Sequence, residues 1–151
     1  MSKLTTQIQQ SQKQYRIAAV KEKNARAKIK ATVLSTLLGE IETKQKNVGF
    51  ELGDDEVIVL IKKFIKGIND SLAIAKNEDL LVELEALNVF LPRQMSQAEL
   101  RSAVARITQA WKDSLKDEDF GKIMGILKNQ YAGQYDGGEA AKVVKAMIKG
   151  N

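Results

Sequence analysis

The sequence predicts an all-α protein, with long helical hairpins in the N-terminal part and a small three-helix domain at the C-terminal end. The 151 residues include a single proline, only 5% aromatic residues and many Lys, Glu, Gln, Ala and Leu residues, and these abundant residues favour helices. Apolar side chains recur at steps of three and four along most of the chain, which is the period of one helix face. No segment alternates polar and apolar residues for long enough to indicate a strand.

Two helices are predicted before residue 50. The first lies near residues 4–20, where Leu4 and the apolar residues after it follow a broken helical spacing. The second begins near Asn24 and carries a regular apolar stripe. It ends near Lys46, because the asparagine and glycine of the segment that closes at Gly49 are typical of a turn.

Two further helices complete the N-terminal part. The third begins at Gly53-Asp54-Asp55-Glu56, whose carboxylates complement the positive end of a helix dipole. It ends at Lys76-Asn77, and the short break predicts an antiparallel hairpin with the fourth helix. Pro92 is predicted to end that fourth helix. Its predicted buried side consists of Leu80, Leu81, Leu84, Leu87 and Leu91.

Pro92 also marks the predicted boundary between two domains, residues 1–93 and residues 94–151. Ser96 and Glu99 have the spacing of a capping box, so a helix is expected to begin there. A second helix of this domain is predicted at about 117–130, and a third after Asp136-Gly137-Gly138-Glu139.

The missing residue types exclude several classes of site. The chain has no cysteine and no histidine, which excludes the common zinc sites and every Cys–His or Ser–His–Asp catalytic arrangement. We therefore expect no catalytic residue, no metal and no cofactor. No apolar run approaches the roughly 18 residues of a membrane span, and the polar N-terminus lacks a signal-peptide pattern. We expect a cytoplasmic protein that does not bind a membrane.

Positive charge is concentrated near the N-terminus. Residues 1–50 contain ten Lys or Arg and three Asp or Glu, whereas residues 51–95 contain five and nine. This asymmetry favours an anionic partner such as RNA, and the alternative is an ordinary solvated helix face. The candidate basic N-terminal face consists of Lys13, Arg16, Lys21, Lys23, Arg26, Lys28 and Lys30.

A second set of candidate residues lies in the C-terminal domain. Lys142, Lys145 and Lys149 are spaced by three and four residues, so they share one helix face. The N–H groups at the start of the last helix could hold a phosphate, but Asp136 in the capping position would repel it. The full candidate RNA-binding set is Lys122, Lys128, Gly133, Gln134, Gly137, Gly138, Lys142, Lys145 and Lys149.

Two ordered sequence blocks resemble the GatB/YqeY family. Residues 87–100, Leu-Asn-Val-Phe-Leu-Pro-Arg-Gln-Met-Ser-Gln-Ala-Glu-Leu, are similar to the family pattern Leu-x-x-Tyr-Leu-Pro-x-Gln-Leu-Ser-x-x-Glu-Leu. Residues 119–125, Asp-Phe-Gly-Lys-Ile-Met-Gly, resemble its Asp-Met-Gly-Lys-Val-Met-Gly block. Residues 133–137 are similar to its Gly-Arg-Ala-Asp-Gly block, although Gln134 replaces the basic residue.

The resemblance implies an elongated helical domain followed by a domain similar to the tail of the glutamyl/aspartyl-tRNA amidotransferase B subunit, which helps to recognise tRNA. It links the family to carbon–nitrogen ligase chemistry with glutamine as the amide donor. Nothing in the chain resembles the amidase or transamidation sites of that enzyme. Our leading hypothesis is therefore a non-catalytic tRNA-binding or amidotransferase-associated module with tRNA as its partner. The alternative is a helical adaptor that binds a protein and no RNA.

Overall fold

The computed structural model describes residues 1–111 and 114–150, and within these ranges it contains seven α-helices and no β-strand. The all-α prediction is therefore confirmed. By their contacts, the residues divide into two compact units, Met1–Leu91 and Pro92–Asn151. Each unit has its own cluster of buried apolar side chains.

The N-terminal unit contains four helices. These are α1 (Lys3–Lys21), α2 (Ala25–Val48), α3 (Asp54–Ile74) and α4 (Glu78–Asn88). Helix α1 packs along α2, and both α2 and α3 contact α4. Apolar side chains from all four helices fill the core, including Ile8, Leu34, Leu37, Ile61 and Leu87.

Polar side chains fix where these helices begin, because the first N–H groups of a helix have no partner within it. The side chain of Ser2 accepts from Thr5 N, and that of Asn24 accepts from Ala27 N at 3.1 Å. The start of α1 is also tied to α3, since Leu4 N donates to Asp54 Oδ1 at 3.0 Å. The carboxylate of Asp54 thus acts as a structural cap.

Helix α4 differs from its prediction in length and orientation. It ends at Asn88 and not at Pro92, and the chain continues through two tighter turns in which Phe90 N and Leu91 N bond to carbonyls three residues back. Such turns satisfy the last carbonyls of a helix before a proline. The prediction that Leu81 is buried is wrong, because Leu81 is 46% exposed. The buried side of α4 contains Val82, Ala86 and Leu87.

The C-terminal unit consists of α5 (Gln97–Thr108), α6 (Phe120–Tyr131) and α7 (Gly137–Gly150), with short 3-10 turns at Gln109–Trp111 and Asp117–Asp119. Each of the three helices contacts the other two. Their shared core consists of Leu100, Ala103, Val104, Ile107, Ile123, Leu127, Ala140 and Val144.

The predicted capping box at the start of α5 is confirmed. Ser96 Oγ accepts from Glu99 N at 3.1 Å, and Glu99 Oε1 accepts from Ser96 N at 3.2 Å. The guanidinium of Arg93 binds both oxygens of Glu99, at 2.8 and 3.2 Å. The first turn of α5 is therefore held by reciprocal hydrogen bonds and by a two-point ion pair.

Candidate functional site

Three lysines occupy the outer face of α7. Lys142, Lys145 and Lys149 are all exposed, and their spacing places them within an arc of about 60° around the helix. Ala140 and Val144, on the opposite side of α7, are fully buried. We call these three residues the α7 lysine face.

Two members of the α7 lysine face border an aromatic-lined cavity. Lys145 and Lys149 line a shallow cavity of about 450 Å³ together with Asp117, Phe120 and Ile148. The ammonium of Lys145 lies 5.7 Å from the centre of the Phe120 ring, a favourable cation–π distance. The cavity therefore combines two cationic side chains and an aromatic ring with one carboxylate, Asp117.

Lys142 lies at a different cleft. It borders a cleft of about 420 Å³ between α5 and α7 that Arg101, Leu100 and Met147 also line. Its Nζ is 4.0 Å from Oε1 of Glu139. Because both groups are exposed, water screens this ion pair, and Lys142 stays available to an external anion.

The two lysines of α6 do not extend the α7 lysine face as a single stripe. Lys122 and Lys128 are both exposed, but six residues separate them, which corresponds to about 120° around a helix. They therefore lie on different flanks of α6. Their role in RNA binding remains a prediction.

The loop before α7 uses much of its backbone for internal bonds. The carbonyl of Gly133 accepts from the side chain of Gln94 at 2.8 Å, and the carbonyl of Gln134 accepts from Met95 N at 2.7 Å. Gly133 has a positive φ of 75°, a conformation that favours glycine. These bonds anchor the loop to the segment before α5.

The start of α7 is closed by a side chain. Asp136 Oδ1 accepts from Gly138 N at 2.7 Å and from Glu139 N at 3.1 Å. The capping interpretation of this segment is confirmed. A phosphate at Gly137 and Gly138 would have to displace a carboxylate of its own charge, so we assign no anion site to these glycines.

Part of the candidate basic N-terminal face is used within the protein. Arg26 and Lys30 both form ion pairs with Glu85 of α4, and Lys30 Nζ also lies 5.3 Å from the ring centre of Tyr15. The pKa of Glu85 lies below its ordinary value, first because Lys30 donates a hydrogen bond to it, and further because of the charges of Lys30 and Arg26. One carboxylate therefore offsets one of these two positive charges, and both cations are engaged within the protein.

The other basic residues of this face divide into two groups. Lys13, Lys21 and Lys23 are exposed. Arg16 and Lys28 border the same groove of about 530 Å³ between α1 and α2. We call it the α1–α2 groove.

Other classes of site find no support in the described parts of the chain. Residues 1–111 and 114–150 contain no cluster of three or more Asp, Glu, His or Cys side chains that could hold a metal ion. The helices in those ranges include none that is long and apolar enough to cross a bilayer.

Comparison with known families gives a match over nearly the whole chain. A family model described as Yqey-like protein matches residues 7–148. The chain belongs to the Yqey-like protein family. This confirms the resemblance seen in the two sequence blocks, and no curated protein matches this Yqey-like chain.

Sequence reasoning missed three residues that shape the charged surfaces of this Yqey-like protein. Glu85 forms ion pairs with two cations, Arg101 borders the same cleft as Lys142, and Phe120 lies under Lys145. Phe120 is partly buried and packs against the core of the C-terminal unit. The partners lie from 25 to 59 residues apart in sequence, so no local pattern could have indicated them.

Proposed function

We propose that this Yqey-like protein is a non-catalytic tRNA-binding module of the amidotransferase-associated type, and that its α7 lysine face lies against the phosphates of the RNA. The observation that carries the proposal is the α7 lysine face itself, three exposed cations on one side of one helix. The non-catalytic part rests on the absence of cysteine and histidine from the sequence.

The dimensions of the α7 lysine face suit a nucleic-acid backbone. Seven residues separate Lys142 from Lys149, which is about 10 Å along a helix axis. Phosphates follow one another at about 3.4 Å per strand along a duplex axis, so the face spans about three phosphate intervals. Each phosphate that a lysine neutralises releases counterions, which makes binding favourable and dependent on salt.

The family resemblance favours folded tRNA as the RNA. The C-terminal unit resembles the tail domain that helps to recognise tRNA in the amidotransferase B subunit. In this chain Gln134 replaces the basic residue of the family loop, and the carbonyl of Gln134 is bonded to Met95. We therefore assign the affinity to the α7 lysine face and not to the loop.

A binding comparison with the full chain tests the proposal. The variant carries Lys142→Gln, Lys145→Gln and Lys149→Gln. The matched control neutralises three exposed lysines of the N-terminal unit, Lys44, Lys63 and Lys66. Each protein is titrated with tRNA and with a random duplex of equal charge.

We expect the wild-type chain to prefer tRNA, and the α7 variant to bind it about 500-fold more weakly at 0.1 M salt, because three phosphate contacts of about 0.9 each in the salt slope are lost. The control should retain most of the affinity. Equal loss in both variants, or equal affinity of the wild-type chain for tRNA and duplex, would contradict the proposal.

A protein-interaction adaptor is the second candidate, and one observation favours it. Ile74, at the end of α3, is 88% exposed and Leu81, in the first part of α4, is 46% exposed, whereas such side chains normally gain free energy by burial. The double substitution Ile74→Ser and Leu81→Ser should leave tRNA affinity unchanged. An adaptor would instead show no RNA binding and would lose a defined protein partner on this substitution.

A further inference from the structure

The α1–α2 groove carries unopposed positive charge. Arg16 of α1 and Lys28 of α2 border it from its two sides, and no carboxylate lines it. Within the described part of the chain, neither cation forms an ion pair. Arg26 and Lys30 differ in this respect, because both form ion pairs with Glu85. The groove is therefore suited to an anion.

Hydroxyl groups form much of the α2 wall. Thr32, Ser35 and Thr36 line the groove beyond Lys28. Thr32 Oγ1 donates to the carbonyl of Lys28 at 2.9 Å, and Thr36 Oγ1 donates to the carbonyl of Thr32 at 3.1 Å. Because these threonine hydrogens are already used, their oxygens are left to accept from a ligand. A ribose 2′-hydroxyl is a donor that could use them.

The groove lacks the large apolar side chains against which an amphipathic helix docks. Such a helix needs a continuous apolar surface for its stripe of large side chains. In this groove Val20 is the largest apolar lining side chain, and it is 76% exposed at the rim. The α2 wall from Lys28 to Thr36 is about 12 Å long, which is enough for a short stretch of a nucleic-acid strand.

We propose that the α1–α2 groove binds a short single strand of nucleic acid through its phosphodiester backbone, with Arg16 and Lys28 contacting successive phosphates. This site lies in the N-terminal unit and shares no residue with the α7 lysine face. It goes beyond the proposed function, because it would hold an unpaired strand whether or not α7 binds folded tRNA.

The test measures binding of a single-stranded oligouridine to the full chain at several salt concentrations. The variant carries Arg16→Glu and Lys28→Glu. The matched control carries Lys13→Glu and Lys44→Glu, the same charge change on the same two helices but outside the groove. Circular dichroism establishes that both variants fold.

We expect the groove variant to bind about 25-fold more weakly at 0.1 M salt. The slope of log affinity against log salt should also fall in magnitude by about 1.4, since each phosphate contact on a single strand contributes about 0.7. The control should change affinity less than about threefold. Equal weakening in the two variants would overturn the proposal, as would a wild-type chain that does not bind the strand.

Two further probes identify the ligand chemistry. The first probe is an oligodeoxythymidine of the same length. If its binding requires Arg16 and Lys28 but is weaker than that of the RNA, the result supports both the backbone contacts and the 2′-hydroxyl contact. A polyglutamate peptide that binds as tightly as the RNA, with the same dependence on these two residues, would overturn the nucleic-acid assignment. The lysine substitutions in α7 are expected to leave binding of the single strand intact, so failure here is distinguishable from failure of the proposed function.

Discussion

Gly125 lies in the middle of α6, and replacing it with alanine should stabilise the protein. The residue is exposed, and a Cβ atom at this position would meet no other atom within 4 Å. Gly125 therefore makes no close helix contact that would require a glycine. Alanine in a helix interior is favoured over glycine by about 1 kcal/mol.

The shift in melting temperature follows from the size of the unit that unfolds. Unfolding entropy is about 2.1 cal/mol/K per residue. If the C-terminal unit, residues 92–151, unfolds alone, 1 kcal/mol raises its Tm by about 8 °C. If all 151 residues unfold together, the increase is about 3 °C. Thermal unfolding followed by circular dichroism and by Trp111 fluorescence measures the Tm of the whole chain and that of the C-terminal unit.

Gly67→Ala is the matched control, because Gly67 lies inside α3, is exposed and also has open space around its Cβ position. It should stabilise the N-terminal unit by a similar free energy. If Gly125→Ala lowers the Tm while Gly67→Ala raises it, the open environment assigned to Gly125 is wrong. Equal stabilisation by the two substitutions supports the open environment assigned to Gly125.

Three further predictions concern caps, charge and packing. Ser96→Ala should lower the free energy of unfolding by about 1 kcal/mol in a urea titration, because the N-cap of α5 is lost; an unchanged midpoint would contradict the capping role. Hydrogen bonds, first from Arg93 and second from Ser96, lower the pKa of Glu99 to about 2, below the ordinary 4.5. The ionised carboxylate therefore stabilises the folded state fully above pH 4.5, and this contribution is lost as the pH falls toward 2. The free energy of unfolding, measured across this pH range, should therefore depend less on pH in the Glu99→Gln variant than in the wild-type chain. Identical pH profiles for the two proteins would count against the ion pair. Leu87→Ala should lower the free energy of unfolding by about 2–5 kcal/mol, since Leu87 is fully buried. The side chain of Val89 is 67% exposed, so Val89→Ala should change the free energy of unfolding by no more than about 0.5 kcal/mol. Equal effects of the two substitutions would refute the assigned burial.

The sequence predicted the features that depend on neighbouring residues. The helix start near Asn24, the cap at Ser96 and the turn at Gly49 depend on interactions that span only a few positions, so composition and spacing were sufficient. The α7 lysine face was also predictable, because the helical period alone places its members on one side.

The features that depend on tertiary packing could not be predicted. The apolar residues of α4 allow more than one buried side, and its contacts with α2 and α3 select Val82 over Leu81. The pairing of Arg26 and Lys30 with Glu85 joins residues 59 and 55 positions apart. The α1–α2 groove likewise depends on how the two helices meet across a turn in which Lys23 has a φ of 51°.

The most direct test of the central claim is the salt dependence of tRNA affinity in the wild-type chain and in the triple variant Lys142→Gln, Lys145→Gln and Lys149→Gln. If the α7 lysine face contacts three phosphates, the slope of log affinity against log salt should fall in magnitude by about 2.7 in the variant, since each contact on a duplex contributes about 0.9. Two parallel lines, with the same slope for both proteins, would show that these lysines do not contact the RNA.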